Sequence, residues 1–165
     1  MVVSGPTAVG KSAMAMELAV RWGIPVISAD SRQIFRRLDI GTAKPTPEEL
    51  ASVKHHFIDH VEIEESYSAG RYRDEAGRLI GQLLSENDRV LICGGTGLYL
   101  RAITDGFDLI PEVPDEVRLM VAEELKNVGL EALNVFLREH DPEYHSIVDL
   151  ANPRRVQRAV EVIRA

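Results

Sequence analysis

The stretch from Gly5 to Ser12 reads GPTAVGKS and follows a short apolar segment, MVVS. It fits the pattern G-x-x-x-x-G-K-[ST] at every fixed position. In such a loop, glycines let successive backbone N–H groups point at one anion, and the following helix adds the positive end of its dipole. The stretch therefore predicts a phosphate-binding loop that takes a diphosphate or triphosphate. The predicted diphosphate-binding residues are Gly5, Pro6, Thr7, Ala8, Val9, Gly10, Lys11 and Ser12.

Two side chains of this loop carry specific chemistry. Lys11 can neutralise a diphosphate oxygen, and the hydroxyl of Ser12 can ligate Mg²⁺. We therefore expect Mg²⁺ as the cofactor, with Ser12 as its ligand from the loop.

A second candidate for chemistry is the carboxylate of Asp30. A hydrolase of ATP or GTP needs an acidic residue at the end of a second strand, but the apolar run RVLIC ends in Gly94-Gly95-Thr96. Asp30 instead follows the apolar run that ends at Ala29. Because open α/β sheets bind ligands at the carboxyl edge of their strands, Asp30 is a candidate general base or Mg²⁺ partner. The alternative is a loop cap, since Asp-Ser is common turn chemistry.

Strand-like and helix-like segments alternate in the first part of the chain. A helix is predicted over Lys11–Trp22 with Gly23 as its stop, and Ile24–Ala29 has the composition of a buried strand. Ser68 can cap a further helix, and the apolar run RVLICGG predicts another buried strand. This β-α-β-α-β order predicts a P-loop NTPase-like α/β fold, in which helices flank a parallel sheet.

The pattern changes after Gly106, where three helical patterns follow a proline-bearing linker, FDLIPEVPDE. We interpret residues 1–106 as the P-loop α/β core, residues 107–150 as a small all-helical insertion, and residues 151–165 as the start of a helix that returns to the core. The last pattern, RRVQRAVEVIRA, has neither a cap nor a glycine stop. We therefore expect the chain to be a fragment of a longer protein.

Composition limits the classes of function. The chain has 165 residues and a net charge of −7, which argues against a protein coated in nucleic acid but allows a local basic face. No apolar run is long enough for a transmembrane helix, so no membrane partner is expected. The single cysteine, Cys93, cannot form an internal disulfide, which makes the reducing cytoplasm the simplest compartment.

Five further motifs carry a resemblance to a known family. They are ISADSRQIFRRLDIGTAKP at 27–45, HHFID at 55–59, YSA at 67–69, GGTGLYL at 94–100 and NPRRVQRAVEV at 152–162. Together they resemble, in the same order, motifs of the tRNA dimethylallyltransferases, also called tRNA isopentenyltransferases. The resemblance implies that the loop holds the diphosphate of dimethylallyl diphosphate, with pyrophosphate as the leaving group. The implied acceptor is the exocyclic N6 amine of the adenosine immediately 3′ of the anticodon in tRNA.

The resemblance also implies roles for individual residues. Asp30 corresponds to the family's catalytic aspartate, which takes a proton from a weakly nucleophilic amine. Thr96 corresponds to a hydrogen-bonding partner near that amine, while Lys11 and Mg²⁺ meet the charge that grows on the pyrophosphate. The predicted catalytic residues are therefore Asp30, Thr96 and Lys11.

Two segments are implied to contact the anticodon arm of tRNA, and a monomer is the default for the family. The helical insertion is expected to pack against the same arm. Additional positive charge near the first segment comes from Arg32, Arg36, Arg37 and Lys44, although a solvated face is an equally open interpretation for Arg36 and Arg37. The predicted tRNA-binding residues are Asp30, Ser31, Arg32, Gln33, Arg154, Arg155, Val156, Gln157 and Arg158.

Three other functions remain open. An adenylate isopentenyltransferase uses the same donor with a free nucleotide as acceptor, but the helical insertion and the motif at 154–158 favour tRNA. A P-loop small-molecule kinase would transfer phosphate from ATP and use Asp30 as the base toward a hydroxyl, but we can assign no arginine-bearing lid. A truncated, non-enzymatic product would bind a diphosphate without further chemistry.

Overall fold

The computed structural model describes residues 1–106 and 111–165. The chain divides into two compact units, Met1–Phe107 and Asp108–Ala165. The linker expected from Phe107 onward begins in residues 107–110, which lie outside the described residues. No helix within the described ranges is both long and apolar enough to cross a bilayer.

The described part of the first unit contains strands and helices in alternation. In chain order they are β1 Val2–Ser4, α1 Lys11–Trp22, β2 Val26–Ser28, α2 Pro47–Ser52, β3 His55–His56, α3 Ala69–Glu86, β4 Leu91–Gly94 and α4 Gly97–Thr104. The predicted first helix is confirmed together with its stop, since Gly23 takes a left-handed conformation with φ 64°. Ser68 caps α3 as predicted, because its hydroxyl accepts a hydrogen bond from the N–H of Arg71 at 3.1 Å.

The four strands form one parallel sheet in the order β1-β4-β2-β3. Val3 pairs with Cys93, and Ile27 pairs with Ile92. Because every pairing is parallel, the carboxyl ends of the strands meet at one edge of the sheet. The predicted α/β fold, with a parallel sheet flanked by helices, is confirmed.

Helices cover both faces of this sheet. Val26 and Leu91 pack against Ala15 of α1 on one face. The next residues along the same strands, Ile27 and Ile92, belong to the core that α3 and α4 complete on the other face. Since successive strand residues point to opposite faces, a sheet covered on both sides needs the continuous apolar runs seen in the sequence.

Two short elements of the first unit were not predicted. Strand β3 is two residues long and is defined by its parallel pairing with Val26 and Ile27 of β2. Helix α2 begins after Thr46, whose hydroxyl accepts from the N–H of Glu49 while the Glu49 carboxylate accepts from the N–H of Thr46. This reciprocal capping box, followed by Pro47, turns the end of the long segment after β2 into a helix.

Helix α3 is anchored through the carboxylate of Glu75. It accepts hydrogen bonds of 2.8 Å from the guanidinium of Arg71 and from the hydroxyl of Tyr67, and the Nε2 of His60 lies at the same distance. Burial alone would raise the pKa of Glu75, but the hydrogen bonds from Arg71, His60 and Tyr67 lower it to about 2. Glu75 therefore holds α3 to the loop before it as an ionised carboxylate.

The described part of the second unit is helical. Its helices are α5 Asp115–Val128, α6 Leu130–His140, α7 Pro142–Ile147 and α8 Pro153–Arg164. Val121, Leu133 and Leu137 form a fully buried core with Val156 and Val160 of α8. The division drawn at residue 150 from the sequence does not coincide with this packing, because the apolar face of α8 completes the core of the helical unit.

Candidate active site

A cleft lies at the carboxyl edge of the sheet, beyond the ends of β1, β2 and β4. Its volume is about 110 Å³, and it is open to solvent. The phosphate loop, the turns after β2 and β4, and a short segment at residues 42–43 line its walls. The structure thus brings the predicted Lys11, Ser12 and Asp30 to one cleft, with Gly95 beside them.

The phosphate loop has the sharp backbone turn that its glycines predict. Gly10 has φ 88° and Ala8 has φ 64°, both in the left-handed region. A non-glycine residue rarely adopts this conformation, and such strain concentrates at ligand sites. The ammonium of Lys11 donates to the carbonyl oxygen of Pro6 over 2.5 Å, which places the cation over the loop. The positive charge and the start of α1 therefore converge where a diphosphate would be neutralised.

Asp30 lies two residues beyond the end of β2 and builds the turn that follows. Its Oδ1 accepts hydrogen bonds from the N–H of Arg32 at 2.8 Å and the N–H of Gln33 at 3.2 Å. The other carboxylate oxygen has no hydrogen-bond partner among the described residues. The loop-cap and catalytic interpretations of Asp30 are therefore compatible, because one oxygen orients the carboxylate and the other is available to a proton or a cation.

Thr96 ties the turn after β4 to the turn after β2. Its hydroxyl oxygen accepts from the N–H of Ser31 at 2.9 Å and its hydroxyl donates to the Ser31 hydroxyl at 3.2 Å. The N–H of Thr96 also donates to the carbonyl oxygen of Ala29 at 3.1 Å. Thr96 is thereby fixed to the residues on both sides of Asp30.

Gly94 allows β2 and β4 to approach closely at this point. A Cβ added at Gly94 would lie 2.2 Å from the carbonyl oxygen of Ala29 and 2.7 Å from its Cα. Any side chain would therefore push the two strands apart where Asp30 and Thr96 follow them. The close approach of the strands thus explains why position 94 needs glycine, and this explanation does not depend on a ligand.

Gln33 is engaged within the protein. Its Nε2 donates to the carbonyl oxygens of Thr42 at 3.1 Å and Ala43 at 2.8 Å. Its Oε1 accepts from the hydroxyl of Ser28 at 3.2 Å. The amide therefore ties the wall at residues 42–43 to the end of β2, and its contact with tRNA stays a prediction.

Much of the positive charge expected near this turn is paired with carboxylates. Arg36 contacts Glu62 at 2.9 Å, and Arg37 contacts Glu62 at 3.0 Å and Glu64 at 2.9 Å. These exposed pairs agree with the solvated-face interpretation of Arg36 and Arg37. Arg32 is exposed and forms no ion pair within the described part of the chain.

Lys44 is not available to RNA, and the expectation that it adds positive charge to an RNA-binding surface is wrong. Its side chain is only 8% exposed and contacts Asp39 at 2.8 Å and Asp59 at 2.6 Å. Its ammonium also donates to the carbonyl oxygen of Phe35 at 2.8 Å. Burial opposes the charged form, but the hydrogen bonds and negative charges of the two aspartates raise the pKa of Lys44. The charge is therefore neutralised inside the loop.

An aromatic pair that sequence reasoning missed packs next to the site. The rings of Tyr72 and Tyr99 stack with centroids 4.1 Å apart, and the hydroxyl of Tyr72 donates to the carbonyl oxygen of Ser28 at 2.9 Å. Burial raises the pKa of Tyr99, and the negative charge of Asp30 raises it further. The two tyrosines lie on helices far apart in the chain, so only the packing reveals that they support the strand before Asp30.

The predicted tRNA-binding residues of α8 differ in exposure. Arg154 and Arg155 are exposed and form no ion pair with any described residue. Gln157 and Arg158 bond to one carboxylate on the same helix, at 2.9 Å and 3.3 Å. The Val156 side chain is fully buried in the core of the helical unit. Its position is that of a packing residue, because a side chain with no exposed surface cannot reach a ligand in solvent.

Oxygen donors suited to Mg²⁺ are present in the cleft. The hydroxyl of Ser12 is at the start of α1, and Asp30 contributes the carboxylate oxygen that does not build its turn. Mg²⁺ in phosphate sites typically takes one or two protein oxygens, with waters and substrate phosphates as the other ligands. The donor set therefore fits this ion.

Comparisons with known proteins identify the family independently of the site geometry. Residues 33–165 match the family model described as IPP transferase. Over 164 residues the chain is 48% identical to the tRNA dimethylallyltransferase of Cytophaga hutchinsonii and 41% identical to that of Deinococcus radiodurans. Each alignment covers 99% of this chain, with 54% and 53% of the respective relatives. The chain thus spans about half the length of the curated relatives it matches.

Solved structures show the same similarity. A tRNA isopentenylpyrophosphate transferase from Bacillus halodurans matches with a TM-score of 0.62 at 38% identity, over 99% of this chain and 54% of that one. A eukaryotic dimethylallyltransferase acting on tRNA matches with a TM-score of 0.78 at 26% identity, over 98% of this chain and 40% of that one.

Proposed function

Because this chain belongs to the IPP transferase family, we propose that it transfers a dimethylallyl group from dimethylallyl diphosphate to tRNA. The acceptor is the N6 amine of the adenosine immediately 3′ of the anticodon, and the other product is pyrophosphate. The observation that carries the proposal is the meeting of the phosphate loop, Asp30 and Thr96 at one edge of the sheet. That arrangement provides an anion site beside a hydrogen-bonded carboxylate.

The phosphate loop binds the diphosphate of the donor in this proposal. As the allylic C–O bond breaks, the carbon becomes cation-like and negative charge grows on the departing pyrophosphate. The backbone N–H groups of the loop and the ammonium of Lys11 are fixed before the reaction, so they stabilise that charge where it develops. No nucleotide needs to be hydrolysed.

Asp30 acts as the general base. The N6 amine of adenine is a poor nucleophile because its lone pair is delocalised into the ring. As this nitrogen bonds to the allylic carbon, its proton passes to the free carboxylate oxygen of Asp30, and the C–O electron pair leaves with the pyrophosphate. The Thr96 hydroxyl oxygen already accepts one hydrogen bond and retains a second lone pair with which to orient the amine.

Mg²⁺ would be held by the Ser12 hydroxyl and, when bound, would supply positive charge to the diphosphate. Asp30 then keeps its free carboxylate oxygen for the amine proton.

The RNA contacts that we propose differ between the two units. The first unit offers Asp30 to Gln33 at the turn after β2, where Arg32 is the exposed cation. The second unit offers the exposed Arg154 and Arg155, together with Gln157 and Arg158, while Val156 supports them from the core. An acceptor of this kind implies a cytoplasmic enzyme, and we propose that it acts as a monomer.

The first experiment combines binding with transfer. We expect calorimetric titration with Mg²⁺ to show tighter binding of dimethylallyl diphosphate than of ATP. Lys11→Ala should weaken donor binding at least about tenfold, since a charge-assisted contact is lost. Incubation with donor and a tRNA anticodon stem-loop, followed by mass analysis of the nucleosides, should show one dimethylallyl group on the adenosine 3′ of the anticodon.

The other outcomes identify the alternatives. Transfer to free AMP but not to the stem-loop would indicate an adenylate isopentenyltransferase. Tighter binding of ATP that depends on its adenosine part would indicate a small-molecule kinase. Donor binding without transfer to either acceptor would contradict the proposed activity for this chain.

A further inference from the structure

One wall of the cleft belongs to a loop with an unusual backbone, residues 35–45, which we call the wall loop. Thr42 and Ala43 of this loop line the cleft. Ala43 has φ 50° and Arg37 has φ 63°, both in the left-handed region that non-glycine residues seldom occupy. Such a conformation persists only where surrounding contacts hold it.

One group that holds the wall loop in this conformation is the ammonium of Lys44. It donates to three acceptors on three stretches of chain: Phe35 at the start of the wall loop, Asp39 in its middle, and Asp59 beyond β3. The three distances lie between 2.6 and 2.8 Å, and the Lys44 side chain is only 8% exposed. An ammonium has three donors, so its hydrogen-bonding capacity is used in full.

Further hydrogen bonds hold Thr42 and Ala43 of the wall loop. The amide of Gln33 donates to the carbonyl oxygens of Thr42 and Ala43. The Thr42 hydroxyl donates to the carbonyl oxygen of Leu38 at 2.8 Å. Lys44 follows Ala43 directly in the chain, so the hydrogen bonds of Lys44 also fix the positions of Thr42 and Ala43.

The charges in this cluster matter for an anion site. Lys44 brings one positive charge to the two carboxylates of Asp39 and Asp59, and without it both negative charges would lose their cationic partner. Asp59 is itself strained, with φ 49°. The Lys44 side chain is 8% exposed, whereas those of Asp39 and Asp59 are 71% and 43% exposed. Losing a buried cation that three hydrogen bonds hold is more disruptive than losing one member of a fully exposed pair.

We propose that Lys44 is a positioning residue for donor binding, which fixes the cleft wall at Thr42 and Ala43 and offsets one of the two negative charges of Asp39 and Asp59. The inference rests on the proposed function for the identity of the donor. Lys44 touches no substrate in this role and acts through the wall loop. It differs from Lys11, whose ammonium lies over the phosphate loop itself.

The test measures pyrophosphate binding to Lys44→Met by calorimetry in the presence of Mg²⁺. We expect the dissociation constant to rise at least about tenfold, because both the wall and its charge balance change. The matched control is Lys54→Met, which removes the same charge from an exposed position of the same unit and should change the constant less than about twofold. A folded Lys44→Met protein with the affinity of the control would overturn the proposal.

A milder variant keeps the proposal testable if Lys44→Met does not fold. Asp59→Asn retains an oxygen acceptor for the ammonium but removes one charge of the cluster. The substitution weakens one hydrogen bond of Lys44 and also removes a negative charge, and these two changes have opposite effects on anion binding. If the position of the wall matters more than the charge, pyrophosphate binding should weaken about threefold. Unchanged or tighter binding by Asp59→Asn would contradict the positioning role.

Steady-state transfer separates positioning from general instability. For Lys44→Met we expect the KM for dimethylallyl diphosphate to rise while the KM for the tRNA stem-loop stays the same. A merely destabilised protein would lose active molecules and leave both KM values unchanged, which would refute the positioning role. If no transfer occurs with the unaltered protein, the proposed activity fails, while the pyrophosphate titrations still decide the role of Lys44.

Discussion

Replacing Gly94 with alanine tests how the strands set the geometry of the site. The added Cβ would lie 2.2 Å from the Ala29 carbonyl oxygen, whereas real Cβ contacts essentially never fall below 3.0 Å, so β2 and β4 must separate by about 0.8 Å. Two hydrogen bonds flank this contact, from the Ala29 N–H to Cys93 at 2.8 Å and from the Thr96 N–H to Ala29 at 3.1 Å. Overpacking costs about 1–3 kcal/mol and each weakened hydrogen bond about 1 kcal/mol, so we expect a loss of about 3–5 kcal/mol.

Urea unfolding followed by tryptophan fluorescence measures this loss. The chain has one tryptophan, Trp22, which packs in the core between α1 and the sheet and so reports on the first unit. With a slope of about 2 kcal/mol per molar urea, the midpoint should fall by about 2 M. Transfer should also fall about 100-fold or more, because Asp30 and Thr96 move apart by nearly 1 Å.

Gly95→Ala is the matched control. Its added Cβ would meet the Gly5 carbonyl oxygen at 3.6 Å and the Lys11 Nζ at 3.9 Å, which are ordinary contacts. We expect its midpoint to stay within about 0.3 M of the unaltered protein, since surface substitutions without a clash usually cost little. If Gly94→Ala and Gly95→Ala share the same midpoint, the close approach of the two strands does not constrain the fold, and the steric reasoning is refuted.

Three further predictions concern charge. Asp30→Asn should reduce transfer about 10²–10⁴-fold and leave pyrophosphate affinity unchanged, and unreduced turnover would exclude Asp30 as the base. Glu75 contributes stability that is complete above pH 4.5 and is lost as its carboxylate protonates toward pH 2, so Glu75→Gln should flatten the fall of the melting temperature across that interval; an unaltered pH profile would contradict the assigned hydrogen bonds. Arg154→Gln and Arg155→Gln should each lower the salt dependence of tRNA binding by about one ion, and identical slopes for all three proteins would remove both residues from the interface.

The phosphate loop, its helix and the buried strands were predictable because their signals are local. Gly23 stops α1 and Ser68 caps α3 through contacts within one turn, and the apolar runs needed for a two-sided sheet are continuous in the sequence. The capping box from Thr46 to Glu49 is equally local and could have predicted α2.

The rest of the site depends on contacts between distant residues. Nothing near Lys44 in the sequence indicates that its charge is buried, because Asp59 reaches it from beyond β3. The pairing that defines β3 is likewise supplied by β2, since two histidines have no strand pattern of their own. Val156 could have been assigned to the core, because Val156 and Val160 are spaced as the buried face of a helix requires.

The position of β1 in the sheet has a consequence for the order in which the protein folds. Its neighbour is β4, and Val3 pairs with Cys93, which lies some 90 residues further along the chain. At synthesis rates of about 5–20 residues per second, β4 is made on the order of 5–20 s after β1, and β1 has no partner until then. Pulsed hydrogen exchange during refolding should accordingly show the amides of Val2–Ser4 protected after those of α1, whose contacts are local. A nascent chain halted before β4 would carry the whole GPTAVGKS motif and still lack the sheet edge from which it binds an anion.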